Sequence, residues 1–276
     1  MTETFFSLLE KRVQDSSSLI CIRLEPHIHD LSNPSATSAL DFCLNLVKQT
    51  NPYTAAFALN PAYFEIFGFE YWTILKQIID AIHSESARLG STIPIILDAR
   101  RSDIESAAEA YVKSTFENLN VNCITVNPYL GKDSIEPFIR NPERGVFLLA
   151  KTSNAGSMDV QNTLVLPSGS DSPMPMYMYI AHLAQEWNVN NNIGIVVGAA
   201  HPKIMTMIRA GVPNLWFLSS GINTQDGELE LALKAGLRAD GKGMLVNVSN
   251  SIARAVDTPA KAARDLRDKI LEITAI

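Results

Sequence analysis

The sequence is poor in the features that mark most specialised protein classes. It has only three cysteines, Cys21, Cys43 and Cys123, with no CxxC pair. That excludes a disulfide framework and a ribbon-type zinc site, and leaves them as small buried hydrophobes in a reducing compartment. The five histidines show no HExxH spacing, so no metal is expected. No apolar run reaches the roughly 18–20 residues of a membrane span. The start, Met1 to Phe6, lacks the basic and apolar regions of a signal peptide, and the expected location is cytoplasmic. Positive charge is scarce as well. The net charge of −6, without a basic stripe, argues against a nucleic-acid surface. Internal repeats and low-complexity tracts are missing too.

What is present is the balance of a soluble globular chain: 46% hydrophobic and 19% charged residues over 276 positions. Eight short runs of β-branched and aliphatic residues recur: 19–24, 55–60, 93–97, 123–126, 145–150, 193–197, 215–219 and 244–248. They are near-continuously apolar, as parallel strands covered on both faces should be. Helical patterns separate them at 36–49, 72–89, 104–118, 177–187 and 202–210. Eight such strands alternating with helical stretches predict an α/β fold, one (β/α)₈ TIM barrel over residues 1–276. An open doubly wound sheet is the competitor, but its usual GxGxxG turn is absent. The long irregular stretch at about 153–175, rich in Gly and Pro, is expected to be a lid-like loop.

Barrels of this kind carry their chemistry at the C-terminal ends of the strands. Polar residues cluster there: Arg23 and Glu25, Asn60, Asp98 with Arg100 and Asp103, Asn127, then Lys151, Thr152 and Ser153. His201, Ser220 and Asn250 follow the later strands. Thr152 and Ser153 also fit the bland role of helix caps. Asp98 and Asp103 around Arg100 are harder to dismiss, because two neighbouring acids repel unless a cation or a ligand compensates. Glu25 has two readings: a general base with a raised pKa, or an ion-paired carboxylate with a depressed one.

The run Asp98-Ala99-Arg100-Arg101-Ser102-Asp103-Ile104 resembles the Asp-x-Lys-x-x-Asp-Ile signature of orotidine 5′-monophosphate decarboxylases. Further segments resemble that family's longer bacterial type, in the right order. They are Cys21–Pro26, Phe57–Asn60 with Ala62–Glu65, Thr125–Gly131, Lys151–Asn154, Val197–Ala199 and Gly236–Asn247. The resemblance implies a lyase of pyrimidine biosynthesis. It implies cofactor-free and metal-free removal of carbon dioxide from orotidine 5′-phosphate, giving uridine 5′-phosphate, by a homodimer acting on a small-molecule nucleotide. It also implies that one aspartate crowds the departing carboxylate while a lysine stabilises and then protonates the carbanion.

The departures from that pattern fall on the implied site. Arg100 stands at the lysine position, Ala58 at that of a second lysine, Arg23 at a glycine and Glu25 at an aspartate. The implied phosphate loop becomes Ser220-Gly221-Ile222-Asn223-Thr224-Gln225-Asp226-Gly227, and Asn250 stands where an arginine would pair with the phosphate. Arg254 is the candidate substitute. Catalytic candidates are therefore Asp98, Arg100, Asp103 and Glu25. The candidate binding residues are Arg23, Asn60, Asn127, Lys151, Thr152, Ser153, His201, Ser220, Gly221, Asn223 and Asn250. Three readings stay open: a decarboxylase working with an arginine, a diverged or engineered scaffold running other acid/base chemistry on a non-nucleotide ligand, and a non-catalytic ligand-binding dimer.

Overall fold

All eight apolar runs form strands in the computed structural model, which describes residues 3–169, 171–222 and 227–274. They are β1 (Ile20–Leu24), β2 (Ala56–Leu59), β3 (Ile95–Arg101), β4 (Cys123–Val126), β5 (Gly145–Lys151), β6 (Ile193–Val197), β7 (Phe217–Ser220) and β8 (Met244–Val248). Each pairs in parallel with its sequence neighbours, and β1 pairs with β8 at Ile20↔Val246, closing the barrel. The strands are buried on both faces, which is why their sequences do not alternate. The three cysteines are buried and free, and burial pushes their thiol pKa values up.

Two strands run further than their apolar segments suggest. β3 continues through Asp98 to Arg101, and β5 reaches Lys151. In both the register shifts near the end, between Leu97 and Arg101 and between Leu149 and Lys151. Such irregularities re-aim side chains, and here they fall on residues singled out from sequence.

The helical pattern expected over 104–118 is split. An α-helix spans Glu105–Val112 and a π-helical turn follows at Lys113–Asn118. The stretch 153–175 is not a structureless loop. It folds as a short helix, Ser157–Gln161, and an antiparallel ribbon pairing Leu164–Val165 with Met174–Pro175. Gly169, Pro167 and Pro173 lie in the connection between the ribbon's two strands.

The barrel's two ends differ in kind. The N-terminal end is sealed by a helix, Phe5–Ser16, started by a Thr4/Ser7 capping box. Its Phe5 and Phe6 are buried, and Phe6 stacks on Trp216 at 6.0 Å. Gly145 makes room for this plug, since a Cβ there would sit 2.1 Å from the Phe5 ring. Arg209 ties the same end by donating to the carbonyls of Leu215, Gly236 and Gly243. The C-terminal end carries charge instead.

Candidate active site

At that end, β1, β3 and β4 bring four charged side chains and one hydroxyl together. Asp98, nearly fully buried, is the centre. Its Oδ1 accepts from the Thr125 hydroxyl at 2.9 Å and lies 3.4 Å from Arg100 Nε. Its Oδ2 lies 3.8 Å from Arg23 Nη2, and the same guanidinium pairs closely with Glu25. Two cations and two carboxylates thus balance, which offsets part of the large penalty for burying carboxylates.

Arg100 sits in the left-handed backbone region, with φ of +50°. Such a conformation in a non-glycine residue costs on the order of 1–3 kcal/mol and persists only where the surroundings impose it. Here its N–H donates to Thr125 Oγ1 at 2.9 Å. The next residue, Arg101, turns away and lays its guanidinium over the Tyr111 ring at 4.6 Å.

Glu25 satisfies both of its sequence readings in part. The ion pair with Arg23 is present, yet the carboxyl pKa is raised, because burial outweighs Arg23 and the hydrogen bond from Ser249. Tyr63, just after β2, meets His27 edge-on at 4.6 Å, and burial together with the nearby Glu25 pushes its hydroxyl pKa up. Thr125 and Tyr63 are additions to the residues chosen from sequence, whereas Ser249 is one of the polar residues that follow the eighth strand in the sequence. Thr125 carried a usable signal, a fully buried hydroxyl residue in the otherwise apolar run Cys-Ile-Thr-Val of a strand beside β3. Tyr63 carried only its place in the family-like segment Ala62–Glu65, and Ser249 only its place at a strand end, since aromatic and serine residues after strands are common.

The other candidates are spread around the rim. Asp103 is not drawn into the cluster, and its Oδ1 accepts from the Ile104 N–H at 2.8 Å. Asn60 and Asn127 cap turns through the N–H groups of Ala62 and Tyr129. Thr152 is clamped by Gln161, which accepts from its N–H and donates to its hydroxyl. Lys151 is sealed away from solvent, donating to the Ser157 hydroxyl at 2.6 Å, and burial lowers its pKa. The exposed Ser153 packs against Gly198, where a Cβ would come within 2.7 Å of its nitrogen.

The strand ends are stitched by Gly198 N–H to Lys151 O and Ala199 N–H to Ser220 O. Gly221, with φ of +76°, continues from there. His201 is exposed at the start of the helix Pro202–Gly211 and takes part through its carbonyl, which accepts from Met205. Asn250 is exposed and begins a four-residue helix. Arg254, the candidate substitute at this end, is bonded to Asp30 at 3.0 Å. Asn223 and Asp226 lie outside the described residues. Among the described residues no group of three or more His, Cys, Asp or Glu is arranged to hold a metal, and no described helix is long and apolar enough to cross a membrane.

Comparison with known proteins finds relatives along nearly all of the chain. The profile of the Orotidine 5′-phosphate decarboxylase / HUMPS family matches residues 31–266. An orotidine 5′-phosphate decarboxylase of Roseiflexus castenholzii is 35% identical, covering 96% of this chain and 97% of its own. One from Cupriavidus taiwanensis is 40% identical, covering 90% and 89%. The structure of Leishmania donovani OMP decarboxylase superposes with a TM-score of 0.87 at 42% identity, covering 99% of this chain and all of that one. With a closed eight-stranded barrel, a buried Asp98 beside Arg100 at its mouth, and relatives of this kind across nearly every residue, the chain belongs to the orotidine 5′-phosphate decarboxylase / HUMPS family.

Proposed function

We propose that this chain carries a decarboxylase-type site for a carboxylated pyrimidine nucleotide, orotidine 5′-phosphate, and that it turns this substrate over slowly. The observation that carries the proposal is the fixed position of Asp98 between the Thr125 hydroxyl and Arg100. An ionised carboxylate held there repels the departing carboxylate of the substrate, and the adjacent guanidinium stabilises the electron pair left on the ring carbon. Carbon dioxide leaves and a proton takes its place.

The proton is the weak step. A guanidinium holds its proton too tightly to be a useful acid. The Arg100 side chain is 49% exposed, so solvent is the proton source open to the carbanion. Loss of a positioned general acid lowers rates by about 10²–10⁴-fold. The phosphate end is also weakened, because Asn250 is uncharged and Arg254 is engaged by Asp30. These two points favour a second reading, a dimer that binds the nucleotide without converting it.

The site is completed by a second copy of the chain in this proposal, and the enzyme is cytoplasmic. Ile104, Tyr129, Leu130 and Leu164 are exposed, and Ile104 follows Asp103 directly in the chain. A cavity of about 540 Å³ is lined by Tyr129 together with Met176, Tyr179 and Trp187. Exposed apolar surface of this kind marks an interaction face. The 153–175 segment is the candidate lid.

The test is incubation with orotidine 5′-phosphate, following loss of its ultraviolet absorbance, with Arg100→Lys and the double variant Arg100→Lys/Asn250→Arg in parallel. Slow conversion by the parent, faster in Arg100→Lys and tighter in the double variant, supports the proposal. Binding with no conversion in any of the three supports the non-catalytic reading. Fast conversion by the parent overturns the role given to Arg100.

A further inference from the structure

We infer that Arg23 and Ala58 act as one unit, in which Arg23 on β1 reaches over β2 to position Asp98 on β3 and the alanine at 58 is the gap it passes through. The inference rests on Asp98 being the reacting carboxylate of the proposed site, but it is tested without any nucleotide.

The register makes the geometry plain. Arg23 pairs with Ala58 across β1 and β2, and Ala58 pairs with Ile96 across β2 and β3. Asp98 lies two residues beyond Ile96 on the same strand. Neighbouring strands are about 4.8 Å apart, so β1 to β3 is roughly 10 Å. The side chains of Arg23 and Asp98 together span that distance, as their 3.8 Å approach shows. They do so over a position whose side chain is a single, fully buried methyl. Any long side chain at 58 would stand in the path of the guanidinium.

The charges demand such a cation. Asp98 and Glu25 are both nearly buried, and each faces the other's charge. The groups around Asp98 are Arg23, Glu25 and the Cys21 thiol from β1, Tyr63 after β2, Arg100 on β3 and Thr125 on β4. Of the cations, Arg100 is half-exposed and screened by solvent. The Arg23 side chain is 21% exposed and touches both acids. It is therefore the cation that orients Asp98 Oδ2 from within the barrel mouth, while the Thr125 hydroxyl holds Oδ1. A cation projecting from position 58 would occupy the same space, so Arg23 and a cation at 58 exclude each other.

The experiment is the crystal structure, with thermal unfolding, of the full chain and three variants. These are Arg23→Met, Ala58→Lys and the double variant Arg23→Met/Ala58→Lys. In Arg23→Met the Asp98 carboxylate turns away from the orientation it holds in the parent, and in the double variant it returns towards it. Ala58→Lys alone is less stable than the double variant, because only there do two long cations compete for one space. An Asp98 carboxylate unmoved in Arg23→Met, or an Ala58→Lys protein at least as stable as the double variant, overturns the inference. Arg23→Gln reports the same carboxyl should the methionine variant fail to fold.

Discussion

The Thr125 hydroxyl donates to Asp98 Oδ1 at 2.9 Å and accepts the Arg100 backbone N–H at the same distance. One hydroxyl on β4 therefore fixes both the acid and the cation at the end of β3. It also supplies the partner that holds Arg100 in its left-handed conformation, so acid, cation and backbone strain share a single anchor.

Thr125→Val keeps the shape of the side chain and removes both bonds. The Arg100 N–H then lacks its partner and Asp98 loses its neutral donor. A stability loss of about 1–3 kcal/mol is expected in urea unfolding, with Thr125→Ser recovering most of it. A valine variant as stable as the parent would show that the hydroxyl does not hold the two groups.

Lys151 gives a prediction with a definite sign. Burial lowers its pKa in the folded state, whereas the unfolded chain has the ordinary lysine value of about 10.4. Between those two values the unfolded state binds more protons, so stability contributed at this residue rises with pH. Below the lowered value the penalty for burying the charge is complete and constant. Lys151→Met is expected to flatten the rise of melting temperature with alkaline pH and to match or exceed the parent at neutrality. An unchanged alkaline slope in the variant would contradict this.

Gly198 separates packing from backbone freedom. A Cβ there would lie 2.7 Å from Ser153 N and 2.9 Å from Ser153 Cα, contacts that flexible side chains cannot relieve. Gly198→Ala should cost about 1–3 kcal/mol and displace the end of β5. Gly156→Ala is the control, because its nearest neighbour is 3.6 Å away. It should stay within about 0.5 kcal/mol of the parent.

The barrel was legible in the sequence because a strand buried on both faces writes itself as an unbroken apolar run. Ile193–Val197 and Met244–Val248 have the same bounds in sequence and structure. The extensions of β3 to Arg101 and β5 to Lys151 were not legible, since polar residues end the apolar signal while the backbone pairing continues. The 153–175 stretch misled for a related reason. Its Gly and Pro content reports a turn, whereas the ribbon is made by pairing Leu164 with Pro175 across that turn.

For the site, sequence by itself determined which residue types stand at the strand ends, because the C-terminal rim is where a closed parallel barrel places them. It also determined the family, through motifs in order along the whole chain. Only the tertiary structure decided which of those residues meet. Closure and register brought Asp98 to Thr125 and Arg23 over Ala58, kept Asp103 in its own turn, tied Arg254 to Asp30 and buried Lys151 against Ser157. The physical reason is range. Burial and turn chemistry act on a few consecutive residues and are written locally, whereas a hydrogen bond or ion pair across strands depends on positions that the chain brings together only when the barrel closes.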